Sequence, residues 1–295
     1  MVVELEKDMV TAKEEPRVLI PGEGHSQGTS FAGHGFFEAS SIRKIGGKYY
    51  FVYSSHKSHE LCYATSDQPD RDFTYGGTLV SNGDIGLEGR DTPVFPLGNN
   101  HGGLVQVGDD VYVFYHRQTN GTEFSRQGCA EKVQIKEDDS IAQVPVTSCG
   151  LNGGALAASG VYPASICCHL TDPTVVNKID YNNPVMKTQV QVTQKQNQSF
   201  VTHIKDQTLV GYKYFCFDGA NEIGLELRGS FCGTVKVSLD EAGEKCIGKA
   251  SIALQGDAWK ILTVAVEPPK GEFPLYFGFT GEGELDFKSF GFVER

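Results

Sequence analysis

Long apolar runs are missing from this 295-residue chain. None approaches the roughly 18–20 residues that cross a bilayer as a helix, so no membrane partner is expected. Positive charge is scarce as well: 26 Lys and Arg stand against 37 Asp and Glu, a formal net charge of -11. A field of that sign repels phosphate backbones and anionic lipid, which removes nucleic acid from the expected partners. Charged residues reach only 21%, and no stretch carries the Ala/Glu/Lys/Leu pattern of a helical bundle or coiled coil. The eight cysteines include no C-x-x-C pair. Most sit in apolar runs such as ASICCHL and YFCFDG, where a free thiol packs as a small hydrophobe, so no disulfide framework is expected. The first residues, MVVELEKDMV, lack the basic-then-apolar order of a secretory leader. No signal peptide is therefore expected in this chain, its localisation and oligomeric state stay open, and it opens directly on strand-like VVEL.

What is present is apolar material at 39% and glycine at 35 residues, about 12% against a usual share near 7%. The length suggests two domains, and the patterning suggests strands. SIRKIGGKYYFVYSS (41–55) reads as a hairpin around Gly46 and Gly47, and LVQVGDDVYVFYH (104–116) as another around Gly108, Asp109 and Asp110. Tyr112 follows Tyr50 by 62 positions, and the same offset relates Tyr115 to Tyr53, Leu104 to Ile42 and Val113 to Phe51. Each hairpin is followed by a further strand-like segment. A repeat of about 60 residues with about four short strands is the signature of propeller blades. The Gly/Ala/Ser-rich stretch 139–163 reads as a surface linker. Beyond it, SFVTHI, VGYKYFCF, IGLELRG, TVKVSLD, KASIAL, WKILTVAV, PLYFGFTG and LDFKSFGFV read as short strands of a two-sheet β-sandwich.

Among polar residues, Glu38 lies beside Phe36 and Phe37, just before the first hairpin. Desolvation by the rings would raise its pKa and suit it to general-acid work. The repeat places Asn100, next to His101, at the equivalent position of the second blade, so both positions are expected to line a pocket. His101 suits a base, a metal ligand or a hydrogen-bonded structural histidine, and taken alone it favours the structural reading. Arg126, which begins the strand after the second hairpin, suits either a sugar hydroxyl or carboxylate contact or a surface ion pair. No nucleophile elbow, phosphate-binding loop, dinucleotide fingerprint or zinc spacing occurs.

The segments FFEASSIRKIGGKYYFVYSS, LCYATSDQPDRDFTYGG, GNNHGGLVQV, VYVFYHRQTNGTEFSRQGCAE and VTSCGLNGG resemble glycoside hydrolase family 43 over about 1–160. The cues GYKYFCFDG, LELRG, DAWK and PLYFGFTGEGELDFKSFGF make 161–295 resemble a family 6 carbohydrate-binding module. The resemblance implies an all-β chain: part of a five-bladed β-propeller (1–160) followed by a jelly-roll β-sandwich (161–295). It implies an inverting β-xylosidase or α-L-arabinofuranosidase lineage acting on xylan- or arabinan-derived saccharides, with a non-catalytic carbohydrate-binding protein as the alternative. It also implies Glu38 as general acid, His101 beside a calcium ion or its waters, and Arg126 against the innermost sugar. Trp259, the single tryptophan, takes the place of a residue that stacks on sugar, with a core tryptophan as the other reading; Tyr212 and Tyr214 read as core. An asparagine that would hold ligand hydroxyls is replaced by Glu284. The family's two catalytic aspartates have no match here. Asp8 reads as a solvated turn residue, and Asp84 and Asp91 fit no family motif. The resemblance therefore implies a chain that begins within a propeller and lacks its catalytic base.

Overall fold

In the computed structural model, which describes residues 1–175 and 182–293, Gly46 and Gly108 occupy matching left-handed turn positions, with φ 61° and 62°. Glycine reaches that region without the Cβ penalty, and each closes a hairpin. The first joins β1 (Phe36–Ile45) to β2 (Lys48–Ser55), and the second joins β5 (Gly102–Val107) to β6 (Asp110–Gln118). The ladders share the 62-residue offset: Ile42 faces Phe51 and Ile45 faces Lys48, while Leu104 faces Val113 and Val107 faces Asp110. With β3 (Glu60–Ser66) and β4 (Thr74–Ser81) the first hairpin makes a four-stranded meander, β1-β2-β3-β4. With β7 (Arg126–Val133) the second makes a three-stranded sheet, β5-β6-β7. These are the two blades the repeat predicts, the second with three strands among the described residues.

The chain divides into two compact units. The first comprises Met1–Glu88, Asn99–Arg117 and Gly128–Pro145, and holds both blades apart from the ends of β6 and β7. One of its cores gathers Ile20, Phe31, Tyr53, Cys62, Ala64 and Phe73. The opening VVEL forms no regular strand, only the isolated bridges Val2–Arg17 and Leu5–Ala12. The turn between them is organised by Asp8, whose carboxylate accepts bonds from the Thr11 hydroxyl and from the Val10 and Thr11 amides. Those bonds, the Thr11 hydroxyl first, lower its pKa.

The second unit comprises Gly89–Gly98, Gln118–Gln127 and Val146–Arg295. Its strands are β8 (Leu156–Ala157), β9 (Gly160–Pro163), β10 (His169–Thr171), β11 (Gln191–Lys195), β12 (Gln198–Ile204) and β13 (Thr208–Phe217). They continue with β14 (Glu222–Ser238), β15 (Cys246–Leu254), β16 (Lys260–Ala265) and β17 (Gly271–Val293). The linker expectation for 139–163 is corrected here: β8 pairs with β13 and β9 with β17, so the end of that stretch is part of the sandwich.

The expected eight segments also merge. IGLELRG and TVKVSLD form the single strand β14, and PLYFGFTG and LDFKSFGFV the single strand β17. These two pair antiparallel along their length. A Cβ on Gly283 (φ 98°) would lie 2.0 Å from the Ser230 carbonyl, and one on Gly229 (φ 132°) 2.5 Å from that of Glu284. Glycine at the crossing lets both strands bend and continue, which is how a strand serves two sheets of a sandwich.

The core is largely aromatic. Phe290 packs on Tyr212 (centroids 4.6 Å), Phe277 (5.4 Å) and Phe292 (5.7 Å), and the Tyr212 hydroxyl donates to the Ala164 carbonyl. Tyr212 is thus core as expected, whereas Tyr214 is half-buried. The expectation that most cysteines are buried is corrected: Cys62, Cys167 and Cys168 are, while Cys216, Cys232 and Cys246 are exposed. Among the described residues no helix is long and apolar enough to cross a membrane.

Candidate functional site

Glu38 sits in β1 at an irregularity of the β1–β2 ladder, between Glu38 and Ser41, where Ala39 takes φ 59°. A bulge re-aims a side chain that regular pleating would otherwise fix. The carboxyl meets His101, whose Nε2 lies 2.7 Å from Glu38 Oε1, and the ring of His116 meets that of His101 edge-on at 5.1 Å. His101 also lines an open depression of about 390 Å³ that includes Ser41, Arg43 and Phe114.

Two expectations are corrected at this point. The flanking phenylalanines do not desolvate Glu38: its side chain is 41% exposed, Phe37 is itself exposed, and Phe36 packs on Phe51 and Tyr53. Asn100 does not share the pocket role the repeat assigned it. It is fully buried, its amide donating to the Ser58 carbonyl and its Nδ2 reaching the His59 carbonyl, so it anchors a loop.

Arg126 stands exposed at the start of β7 and is counted with the second unit. In the sandwich Trp259 is half-exposed, neither core nor open. The Arg228 guanidinium lies 4.4 Å and the Lys288 ammonium 5.5 Å from its ring centre, and Phe200 meets it edge-on. Arg228 in turn pairs with Asp286, and Lys288 with Glu226. Glu284, the departure from the family pattern, faces His203 Nδ1 at 3.0 Å. Asp84 is buried in the short turn Asn82–Asp84.

The donor set does not fit calcium at His101. Calcium takes six to eight oxygen ligands, and the contacts described for His101 are one carboxylate and one imidazole.

A second convergence lies in the same unit and was missed by the sequence reading, which took Cys62 for a small hydrophobe. Glu60 and Cys62 are two apart on β3 and so share one face of the pleat. His34, from the loop before β1, brings Nδ1 to 2.8 Å from Glu60 Oε1 and 4.0 Å from Cys62 Sγ. The ring of His34 stacks on Tyr75 at 4.6 Å. Burial works to raise the pKa of Glu60, but the Ser55 hydrogen bond and the His34 and Lys57 charges outweigh it and hold it below the usual glutamate value. Burial pushes the Cys62 thiol well up. The period-two pairing E-x-C was the one available signal, and only the fold brings His34 to it.

Across nearly its whole length the chain is similar to a curated protein, the xylosidase/arabinosidase of Thermoclostridium stercorarium. The two are 40% identical over 299 residues, 98% of this chain and 63% of that protein. The chain is homologous to that xylosidase/arabinosidase. The chain spans less than two thirds of that relative's length. Among solved structures, it aligns with the glycoside hydrolase family 43 arabinoxylan arabinofuranohydrolase of Bacillus subtilis, crystallised with cellotetraose. That alignment has a TM-score of 0.48 and 21% identity, covering 99% of this chain and 59% of that one. It also aligns with a family 6 carbohydrate-binding module of Clostridium stercorarium bound to cellobiose. There the TM-score is 0.40 and the identity 16%, over 48% of this chain and 99% of that one. No family model matches.

Proposed function

We propose that this chain is part of an inverting glycoside hydrolase acting on xylose- or arabinose-containing saccharides, with Glu38 as general acid. The observation that carries the reading is the Glu38–His101 contact, a half-exposed carboxyl bonded at 2.7 Å to an imidazole. A general acid must hold its proton until the leaving-group oxygen takes it. A ring nitrogen at hydrogen-bond distance fixes the carboxyl's orientation and offers a route for returning that proton. The name of the Thermoclostridium relative supports the substrate class. Arg126, exposed at the head of β7, is assigned to a sugar contact in this reading.

Inversion also requires a second carboxylate about 6.5–9.5 Å from the acid, to hold the attacking water. No aspartate of this chain matches the family's base, so in this reading the chain alone is catalytically incomplete. Hydrolysis of nitrophenyl xyloside and nitrophenyl arabinofuranoside by the 295-residue chain is expected at background. Turnover abolished by Glu38→Gln would overturn the incompleteness and keep the acid. Turnover indifferent to Glu38→Gln would remove the acid assignment itself.

The second reading, saccharide binding without catalysis, rests on Trp259, a half-exposed aromatic ring of the sandwich flanked by the Arg228 and Lys288 cations. Titration with xylo-oligosaccharides should give a saturable change in Trp259 fluorescence, and a flat response would retire the stacking role.

A further inference from the structure

We propose that His34, Glu60 and Cys62 form a zinc site in the blade unit, separate from Glu38 and His101. Three different donor types, an imidazole nitrogen, a carboxylate oxygen and a thiol sulfur, converge with all three atoms within 4.8 Å of one another. That mixture selects the ion. Calcium and magnesium take oxygen shells, whereas zinc is borderline-soft and accepts nitrogen, sulfur and oxygen in one tetrahedron.

The spacing agrees. Zinc bonds of roughly 2.0–2.3 Å put ligand atoms about 3.4–3.6 Å apart in a tetrahedral shell. Here Nδ1 lies 2.8 Å from the carboxylate oxygen and 4.0 Å from the sulfur. Adjustments of about half an ångström bring both to the zinc values.

Charge agrees as well. Zn²⁺ with one thiolate, one carboxylate and a neutral imidazole is a neutral complex, the form a buried site tolerates, since an uncompensated buried charge is costly. On binding, the Cys62 S–H bond breaks, its proton leaves to solvent, and the sulfur electron pair forms the bond to zinc. His34 supplies the lone pair of Nδ1, and a water takes the fourth position.

The surrounding groups already orient the ligands, as outer-shell partners of a metal site do. The Ser55 hydroxyl donates to Glu60 Oε1 at 2.5 Å, the Thr78 hydroxyl to Oε2 at 3.3 Å, and the Tyr53 hydroxyl to the His34 carbonyl at 2.7 Å. The His34 side chain is 26% exposed and that of Glu60 5%, so solvent reaches the cluster at the histidine.

The test uses the full chain after treatment with a chelator. Zinc titrated calorimetrically should bind one to one, and cobalt(II) in its place should give the near-ultraviolet thiolate-to-metal band and the intense visible bands of a tetrahedral centre. Cys62→Ser should lose the thiolate band, and both Cys62→Ser and His34→Gln should weaken zinc binding at least about tenfold. Lack of a thiolate band in the wild-type chain overturns the site without reference to any variant. Unchanged zinc affinity in a folded Cys62→Ser variant overturns it equally.

Discussion

Lowering the pH should destabilise the sandwich through one residue, His169. It opens β10 with 2% exposure, its Nε2 3.2 Å from the Thr171 hydroxyl and its ring edge-on to Tyr276 at 5.6 Å. Burial disfavours the imidazolium, the Lys213 and Arg90 charges add to that, and Glu241, 4.0 Å from Nδ1, opposes it. The result is a pKa lowered from 6.5 to about 4. Between those values the unfolded chain binds the proton and the folded one does not. The stability this residue contributes is therefore complete above pH 6.5 and lost as pH falls toward 4. At about 1.4 kcal/mol per pKa unit the whole effect is about 3 kcal/mol, of which about 2 kcal/mol is lost between pH 7 and pH 5. Urea unfolding followed by tryptophan fluorescence isolates this unit, because Trp259 is the single tryptophan and belongs to it. His169→Gln stays neutral throughout, so its stability should fall by about 2 kcal/mol less than that of the wild-type chain over the same interval. Parallel pH profiles for the two proteins would refute the reasoning.

The same assay reads the strand crossing and the core. Gly283→Ala, with φ 98° and its new Cβ 2.0 Å from the Ser230 carbonyl, should cost about 3 kcal/mol or more. Gly256→Ala, at φ 91° with nothing within 4 Å, should cost only about 1 kcal/mol of backbone strain; equal losses would show that the close approach is not what requires glycine. Phe290→Ala should cost about 3–5 kcal/mol, since the ring meets Tyr212, Phe215, Phe277, Phe287 and Phe292. A loss below about 1 kcal/mol would mean that the surrounding aromatics close over the cavity.

Much of the architecture could be read in the residues because strands write a local code. Alternation of apolar side chains and glycine at turn positions located both blade hairpins, down to a common offset that sets Gly46 against Gly108. The sandwich strands were legible for the same reason. Their continuity was not: a glycine reads as a turn wherever it interrupts an apolar run, and only the pairing of β14 with β17 shows that Gly229 and Gly283 carry the strands onward. The stretch 139–163 misled in a similar way, since small residues suit a linker and equally suit short strands at a sheet edge.

For the candidate site, the sequence by itself singled out Glu38 and His101 as candidate pocket residues and read the chain as all-β, which it almost entirely is. The tertiary structure decided which partners meet. Glu38 and His101 are 63 positions apart and come within 2.7 Å. His34 reaches Cys62 across 28 positions, and His169 reaches Glu241 across 72. Strand pairing brings residues distant in the chain side by side, and burial then sets their charge. Neither effect has a signature in the residues taken one after another.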